Sequence, residues 1–378
     1  MTEAHSRSPR GPRNALSGLP GHHPNHTPLL TPVASPGGPA RVDAIVVPTI
    51  RPTPTLDSAV RLAQRVGCVL LVLCSQRADR ESTVAAARRR GVTAYAVDVH
   101  DAPALPAFAT STEFGDLPRR GRNPDLSLKR NLGLAIARLV GWRRIAFLDD
   151  DIRRVRADDL AVAAAQVDDY TAVGLHNVGF PDNSVVCHAY RDTGGLDQAT
   201  FVGGGALVVP ADRTTSFFPD IYNEDWFFLL EGDRLGRVAT TGRVWQRAYD
   251  PYDSPGRAYA QEFGDCLAEG MFALLDDGRR VSDADLDYWM DYLAERALLI
   301  EEVLDRVADS DGPRDRMTAS LHAARKSLET FTPQHCVDYL SAWRRDGVRW
   351  SAFLAGLPGG HTVTAALDRL GLRDRSAA

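Results

Sequence analysis

Three consecutive carboxylates, Asp149, Asp150 and Asp151, follow directly on the apolar run Ile145-Ala146-Phe147-Leu148. Such a run reads as a strand buried in a parallel sheet, so burial stops abruptly at Asp149. Adjacent carboxylates repel one another, and a fold tolerates them at the end of a buried strand when water or a cation offsets the repulsion. Acidic triplets elsewhere are often only solvated loops or helix starts; the buried strand in front of this one turns the reading to a divalent-metal site. On an extended chain Asp149 and Asp151 point the same way, as an Asp-x-Asp pair. Mg2+ or Mn2+ held there would keep coordination positions open for phosphate oxygens.

A second acidic group, Asn223-Glu224-Asp225-Trp226, opens an apolar helix, with Asn223 as N-cap and both carboxylates in the first turn. Lys129, Arg130 and Asn131 fall in the first turn of another helix, capped by Asp125 or Ser127 and carrying Leu128, Leu132, Ala135, Ile136 and Leu139 at helical spacing. Cations conflict with the macrodipole at a helix N-terminus, and a bound anion would remove the conflict. The run Gly203-Gly204-Gly205 lies inside apolar sequence, which suits either close approach of backbone to a ligand or a bulge. A Pro-rich stretch over residues 100–123 carries Arg119-Arg120-Gly121-Arg122, a solvated loop or a grip for a diphosphate. His176 and His188 read as ordinary core or surface histidines before metal ligands. Asp250, Tyr252 and Asp253 suit either a flap over the site or a turn into a helical unit.

The elements that position these groups alternate. Residues 42–47, 68–73 and 92–99 read as strands, with helices over 55–66 and 81–90 between them. Alternation of this kind implies a parallel sheet covered by helices on both faces, with ligands at the carboxyl ends of the strands. Pro48, Thr49, Arg51, Ser75 and the three aspartates all fall at such ends. Residues 171–178, 184–191 and 201–209 read as further strands, separated by Pro, Gly and Asp turns. Beyond Asp250 helical spacing takes over, with helices expected over 281–307, where Ser282 and Asp285 form a cap pair, over 315–329, and over 333–345 behind a Thr332 cap and Pro333. Trp289, Tyr292, Trp343 and Trp350 are read as core. The segment Glu262-Phe263-Gly264-Asp265 alternates polar and apolar residues with no evident role. Residues 1–40, rich in Pro, Gly, Ser and His, read as a disordered tail in which His22, His23 and His26 are composition only. The expected division is therefore a tail at 1–40, a catalytic α/β domain at 41–254 and a helical region at 255–378.

Composition bounds the function. With 378 residues, 44% hydrophobic and 25% charged, the chain can bury a large core. A net charge of -5 argues against a broadly basic nucleic-acid binder. No apolar run reaches membrane length and no secretory h-region opens the chain. Five scattered cysteines suggest free thiols in a reducing cytoplasm.

Taken together, these residues resemble a GT-A type glycosyltransferase of the large inverting family 2. The match runs in order through Val47-Pro48-Thr49-Ile50-Arg51, Lys129-Arg130-Asn131-x-Gly133, Asp149-Asp150-Asp151, Gly203-Gly204-Gly205-Ala206 and Glu224-Asp225. The resemblance implies a Rossmann-like, mostly parallel sheet. It implies that Pro48, Thr49, Arg51, Ser75, Lys129, Arg130, Asn131, Asp149 and Asp150 bind the nucleotide and diphosphate, and that Asp149 and Asp151 hold Mn2+ or Mg2+. It also implies an acceptor region at Gly203, Gly204, Gly205 and Trp226, with Asp225, beside Glu224, as general base. Its donor would be a UDP- or GDP-sugar, its acceptor a small molecule, lipid precursor or saccharide, and a homo-oligomer is compatible with it. Two departures stand out: the second strand ends in Cys74-Ser75-Gln76 in place of an acidic turn, and the Gln-x-x-Arg-Trp motif is missing unless Gln246-Arg247 replaces it. The opening motif and Leu148-Asp149-Asp150-Asp151 also resemble plant reversibly glycosylated proteins that act as UDP-arabinopyranose mutases. Retaining transfer on the same fold, and a non-catalytic binding module, are the other readings.

Overall fold

The computed structural model describes residues 21–23, 25–33, 38–99, 104–118, 125–181, 183–199, 201–309 and 313–372. Strand and helix alternate first: β1 (Ala44–Thr49), α1 (Asp57–Val66), β2 (Val69–Cys74), α2 (Arg80–Arg89) and β3 (Ala94–Asp98). Then come α3 (Ala109–Thr112), α4 (Leu126–Val140), β4 (Arg144–Leu148), β5 (Ile152–Arg153), α5 (Ala157–Gln166) and β6 (Ala172–Asn177). They are followed by α6 (Val185–Asp192), β7 (Ala206–Pro210), α7 (Glu224–Phe228), the short β8 (Leu230–Glu231) and β9 (Arg234–Leu235), and β10 (Val238–Gln246). Helices α8 (Pro255–Asp276), α9 (Leu286–Ala308), α10 (Arg314–Leu328), α11 (Pro333–Ala355) and α12 (Val363–Arg369) complete the chain.

Eight strands form one sheet in the order β3-β2-β1-β4-β7-β6-β10-β5. The pairs among β1, β2, β3 and β4 and the β6–β10 pair are parallel, whereas β7 is antiparallel to both its neighbours and β5 is antiparallel to β10. This mostly parallel, helix-covered α/β sheet is the class expected for a GT-A type transferase. Side-chain alternation divides its core: Ile45, Val47, Leu70 and Val72 face α1, α2 and α5, while Ala44, Val46, Leu71 and Leu73 face α4 and the later helices. Register aligns Thr49 with Cys74 and Val46 with Phe147, so β4 stops two residues short of β1 and β2 and the acidic turn that follows it lies beside their ends. Antiparallel β7 pairs Ala206 with Leu148, and the Asp149 N–H donates to the Gly205 carbonyl at 2.9 Å. Gly203–Gly205 are thereby brought against the start of the acidic turn.

Several local expectations are corrected. Residues 184–191, expected as a strand, form helix α6, capped by the Ser184 hydroxyl accepting from the Cys187 N–H at 3.3 Å. Val185 to Tyr190 are buried all round, and an apolar run without polar faces carries no period to separate helix from strand. For the same reason α8 has no periodic signature, since its residues from Gln261 to Leu275 are all buried. Of the strand expected over 201–209 only Ala206–Pro210 forms, and the helix expected to end at Arg345 runs on to Ala355. Asp285 caps α9 without Ser282.

The described part of the segment expected as a tail is packed on the fold. His22 and His26 are 3% and 1% exposed, the Thr31 N–H donates to the Val238 carbonyl at 2.8 Å, and the Tyr170 hydroxyl donates to the Pro32 carbonyl at 2.9 Å. His26 pairs with Asp276 and lies edge-on to Phe201, Trp226 and Phe272. Histidine rings offer both a polar nitrogen and an apolar face, which composition alone does not reveal. Arg119-Arg120-Gly121-Arg122 lies outside the described residues.

Candidate active site at the carboxyl edge of the sheet

The three aspartates do not continue β4. The Ile152 N–H donates to the Asp149 carbonyl at 3.1 Å, closing a turn over Asp149 to Ile152. The alternation that aligned Asp149 with Asp151 on an extended chain therefore does not apply, and each carboxylate finds its own partner. Asp149 accepts from Arg130 at 3.1 and 3.2 Å. Asp150, 7% exposed, accepts from the Thr49 hydroxyl at 2.5 Å and pairs with Arg51. Asp151 lies 3.4 Å from the same guanidinium. Burial raises the Asp150 carboxyl above its ordinary range, against the pull of Thr49 and Arg51.

Helix α4 supplies the cations, but it begins at Leu126, so Arg130 and Asn131 lie beyond the first turn in which they were expected, and the charge of Lys129 is met by Asp125. Lys129 is fully buried, donating to the Thr49 carbonyl at 2.9 Å and the Ser75 hydroxyl at 2.7 Å, with Asp125, one turn earlier, at 2.9 Å. It ties the ends of β1 and β2 to α4. Burial lowers its ammonium pKa, and Asp125 opposes that shift. Arg130 joins Asp149 to Glu224, which it meets at 2.5 Å, and lies over the Phe218 ring at 5.4 Å. Asn131 uses both ends of its amide on the Phe218 backbone, at 2.8 and 2.9 Å. Lys129, Asn131 and Ser75, expected to grip the donor, are instead consumed in holding the edge of the sheet together. No bound anion is needed to reconcile Lys129 and Arg130 with the helix terminus.

Glu224 and Asp225 begin α7, a helix of five residues. Glu224 is 5% exposed, and burial raises its pKa to about 8 despite Arg130. Asp225 is half-buried, with one oxygen accepting from the Gly204 N–H at 2.5 Å and the other from the Trp226 N–H at 3.0 Å. A Cβ at residue 204 would lie 2.4 Å from the Arg130 guanidinium and would push it aside, so glycine there leaves room for that side chain. The triple glycine thus admits Arg130, a side chain of this protein, where sequence suggests a ligand or a bulge. Asn223 does precede α7, but its side chain caps nothing there; its backbone is left-handed, with φ 64°. Gln76 (φ 53°) and Arg154 (φ 58°), the other described non-glycine residues in this region, lie just beyond β2 and β5. Unfavoured backbone of this kind collects at functional edges.

The groups with accessible surface at this edge are Arg51, 35% exposed, Asp149, 29%, and Asp151, 21%, together with half-buried Asp225 and Trp226. Among the described residues no group of three His, Cys, Asp or Glu side chains could enclose a metal. Two carboxylates with hard oxygens do suit Mg2+ or Mn2+, ions that take one or two protein carboxylates and complete their shell with phosphate oxygens and water. His176 is exposed and His188 is stacked on Phe180 with its pKa lowered to about 4 by burial, so neither joins the acidic turn. Asp250 pairs with Arg316 of α10, and the Tyr252 hydroxyl donates to Asp192 of α6 at 2.8 Å, so this segment serves as the turn into the helices. Gln246 binds Asn177 at 3.0 Å, while the Arg247 N–H donates to the Asp151 carbonyl at 3.1 Å. Sequence reasoning placed Asp125 as a helix cap, but its side chain makes no cap bond and pairs with Lys129, a partnership for which the i,i+4 spacing was a usable signal; it missed the role of Asp265 of α8, which accepts from the Asn223 amide at 2.9 Å and gave no local sign.

Comparison with known proteins finds no matching family model and no matching curated protein. Among solved structures the chain is similar to glucosyl-3-phosphoglycerate synthase from Mycobacterium tuberculosis, in complex with Mn2+, UDP and phosphoglyceric acid. The identity is 16% and the TM-score 0.40, over 67% of this chain and 87% of that one. It is also similar to mouse xyloside xylosyltransferase 1, at 10% identity and TM-score 0.24 over 46% and 68% of the two chains. Core-mannan synthase A from Aspergillus fumigatus, in a Mn/GDP form, follows at 9% identity and TM-score 0.24 over 55% and 67%. Likeness this remote assigns no activity, which has to come from the residues of the site.

Proposed function

We propose that the protein is a metal-dependent glycosyltransferase that moves a sugar from a nucleoside-diphosphate donor to an acceptor hydroxyl with inversion. One observation carries this reading: Arg130 links the first carboxylate of the acidic turn, Asp149, to the Glu224–Asp225 pair, while Gly204, in the turn that leads into β7, holds Asp225 beside the same acidic turn. An acidic turn and an accessible, oriented carboxylate are thus built into one frame.

Asp149 and Asp151, the two partly exposed carboxylates of the acidic turn, would hold Mn2+ or Mg2+, and the ion would supply positive charge for a departing diphosphate. Arg51, partly exposed beside Asp151, faces the same negative charge. The ends of β1 and β2, tied together by Lys129 through Thr49 and Ser75, support the nucleotide from beneath without lending it those side chains. Asp225 takes the proton of the acceptor hydroxyl as its oxygen bonds to the anomeric carbon and the bond from that carbon to the diphosphate oxygen breaks. Trp226 and the backbone at Gly203–Gly205 border the acceptor. Glu224, buried against Arg130, orients the pair and is not the base.

Calorimetric titration with UDP, GDP, ADP and TDP, each with and without Mn2+, tests the donor site. Binding of one diphosphate that requires the metal supports the reading and names the base. Absence of binding in every combination overturns it. Conversion of a bound nucleotide sugar to a ring isomer without any acceptor would instead establish a mutase.

A further inference from the structure

We propose that Asp265 of α8 is the positioning residue for the Glu224–Asp225 pair, acting through Asn223. The inference rests on the reading of Asp225 as the base of the transfer reaction.

The geometry begins with the backbone. Asn223 is held at φ 64°, a left-handed conformation that side-chain-bearing residues rarely adopt and asparagine tolerates best. It immediately precedes Glu224, so its backbone sets the direction in which α7 leaves, and Arg130 and the Gly204 N–H then fix the two carboxylates. Its side chain makes no cap with α7 and donates to the Asp265 Oδ1 at 2.9 Å. The preceding residue is gripped from the same helix: a Cβ on Gly264 would come within 2.3 Å of the Tyr222 carbonyl oxygen, so α8 meets this segment backbone to backbone. Residues 264 and 265 together form a seat for 222 and 223.

Packing alone does not explain an acid at position 265. Asp265 is 2% exposed and flanked by fully buried Phe263, Cys266 and Leu267, where an apolar residue would fit without a desolvation penalty. The nearby cation is committed elsewhere: Arg296 meets Glu262 at 2.7 and 3.2 Å and Glu269 at 3.0 Å. Burial and these two carboxylates raise the Asp265 carboxyl well above its usual range. A neutral acid still offers the carbonyl oxygen that Asn223 requires, and so does an amide. Asparagine at 265 should therefore preserve the seat, whereas leucine should abolish it.

Three variants, Asp265→Leu, Asp265→Asn and Asn223→Gly, test this by crystal structure and by steady-state transfer kinetics. In Asp265→Leu residue 223 should leave the left-handed region and kcat should fall by about 10²-fold, the usual penalty for misplacing a reacting group by about 1 Å. The KM for the nucleotide sugar should stay within about twofold, because uniform binding is untouched. Asp265→Asn should keep φ near the parent value and restore kcat to within about threefold. Asn223→Gly serves if Asp265→Leu does not fold; it keeps the backbone accessible but drops the anchor, and kcat should fall by about tenfold. Retention of both parent φ and parent kcat in Asp265→Leu or, if that variant does not fold, parent kcat in Asn223→Gly would overturn the proposal, as would failure of Asp265→Asn to rescue. If the parent protein transfers no sugar, the functional reading fails, while the conformation of residue 223 in the variant structures still decides whether Asp265 sets it.

Discussion

Two deeply buried arginines, 2% and 0% exposed, each bridge two carboxylates. Arg130 joins Asp149 and Glu224 at the edge of the sheet, and Arg296 joins Glu262 and Glu269 between α8 and α9. Their chemistry is the same and both guanidinium pKa values are raised: burial works against the charge, and the paired carboxylates outweigh it. They differ in one respect. Glu262 and Glu269 are 2% and 4% exposed, so the Arg296 cluster is closed, whereas Asp149 is 29% exposed, so the Arg130 cluster opens to solvent through one member. A buried ion cluster becomes a site when one of its oxygens stays within reach of a ligand. Otherwise it is a desolvated tie whose main effect is on stability and specificity of packing.

The comparison can be broken at its open end with the largest effect. Asp225→Asn should reduce kcat by about 10²- to 10⁴-fold while leaving calorimetric binding of the donor diphosphate unchanged. Full transfer activity in that variant would rule out the inverting mechanism drawn here. At the closed end, Arg296→Met should lower unfolding stability in urea by about 3–5 kcal/mol, because two carboxylates lose their partner, while apolar replacement of Arg296, Glu262 and Glu269 together should be neutral or stabilising by about 1–4 kcal/mol. A loss under about 1 kcal/mol for the single variant would mean that this cluster is not held by its charges. Gly204→Ala sharpens the contrast by forcing Arg130 aside. It should cost about 1–3 kcal/mol and shift the pH–rate profile.

The smallest effect is one of pH. His22 faces the closed cluster, and burial lowers its pKa from 6.5 to about 4, against the opposing pull of Glu269. The unfolded chain takes up the proton near 6.5 and the folded one only near 4, so this contribution is complete above 6.5 and is lost as the pH falls through that window. Replacing His22 by Phe should flatten stability between those values by about 1–3 kcal/mol, read from urea midpoints. His188, lowered to about 4 in the same way but packed on Phe180, remains as an internal control.

Much of the frame was legible because its signals are local. The apolar runs of β1, β2 and β4 and the Thr332-Pro333 start of α11 follow from side-chain pattern and capping within a few residues. So does the switch from apolar to acidic residues after Leu148, but burial does not stop there as expected, since Asp150 is 7% exposed. Helices α6 and α8 were illegible because complete burial erases the polar face that betrays a helix. The packed histidines of residues 21–33 were illegible because their partners, such as Asp276 for His26, lie about 250 positions away.

The sequence by itself determined a parallel α/β sheet with carboxylates at strand ends, since alternation, apolar runs and charge position are properties of neighbouring residues. Only the tertiary structure decided which charges remain open. Lys129, read from sequence as a ligand for a diphosphate, is closed off by the ends of β1 and β2, and Arg130 by a glutamate 94 residues further on. The partner of a buried charge is chosen by desolvation among whatever the fold brings near, and nothing in a local stretch of chain encodes that choice.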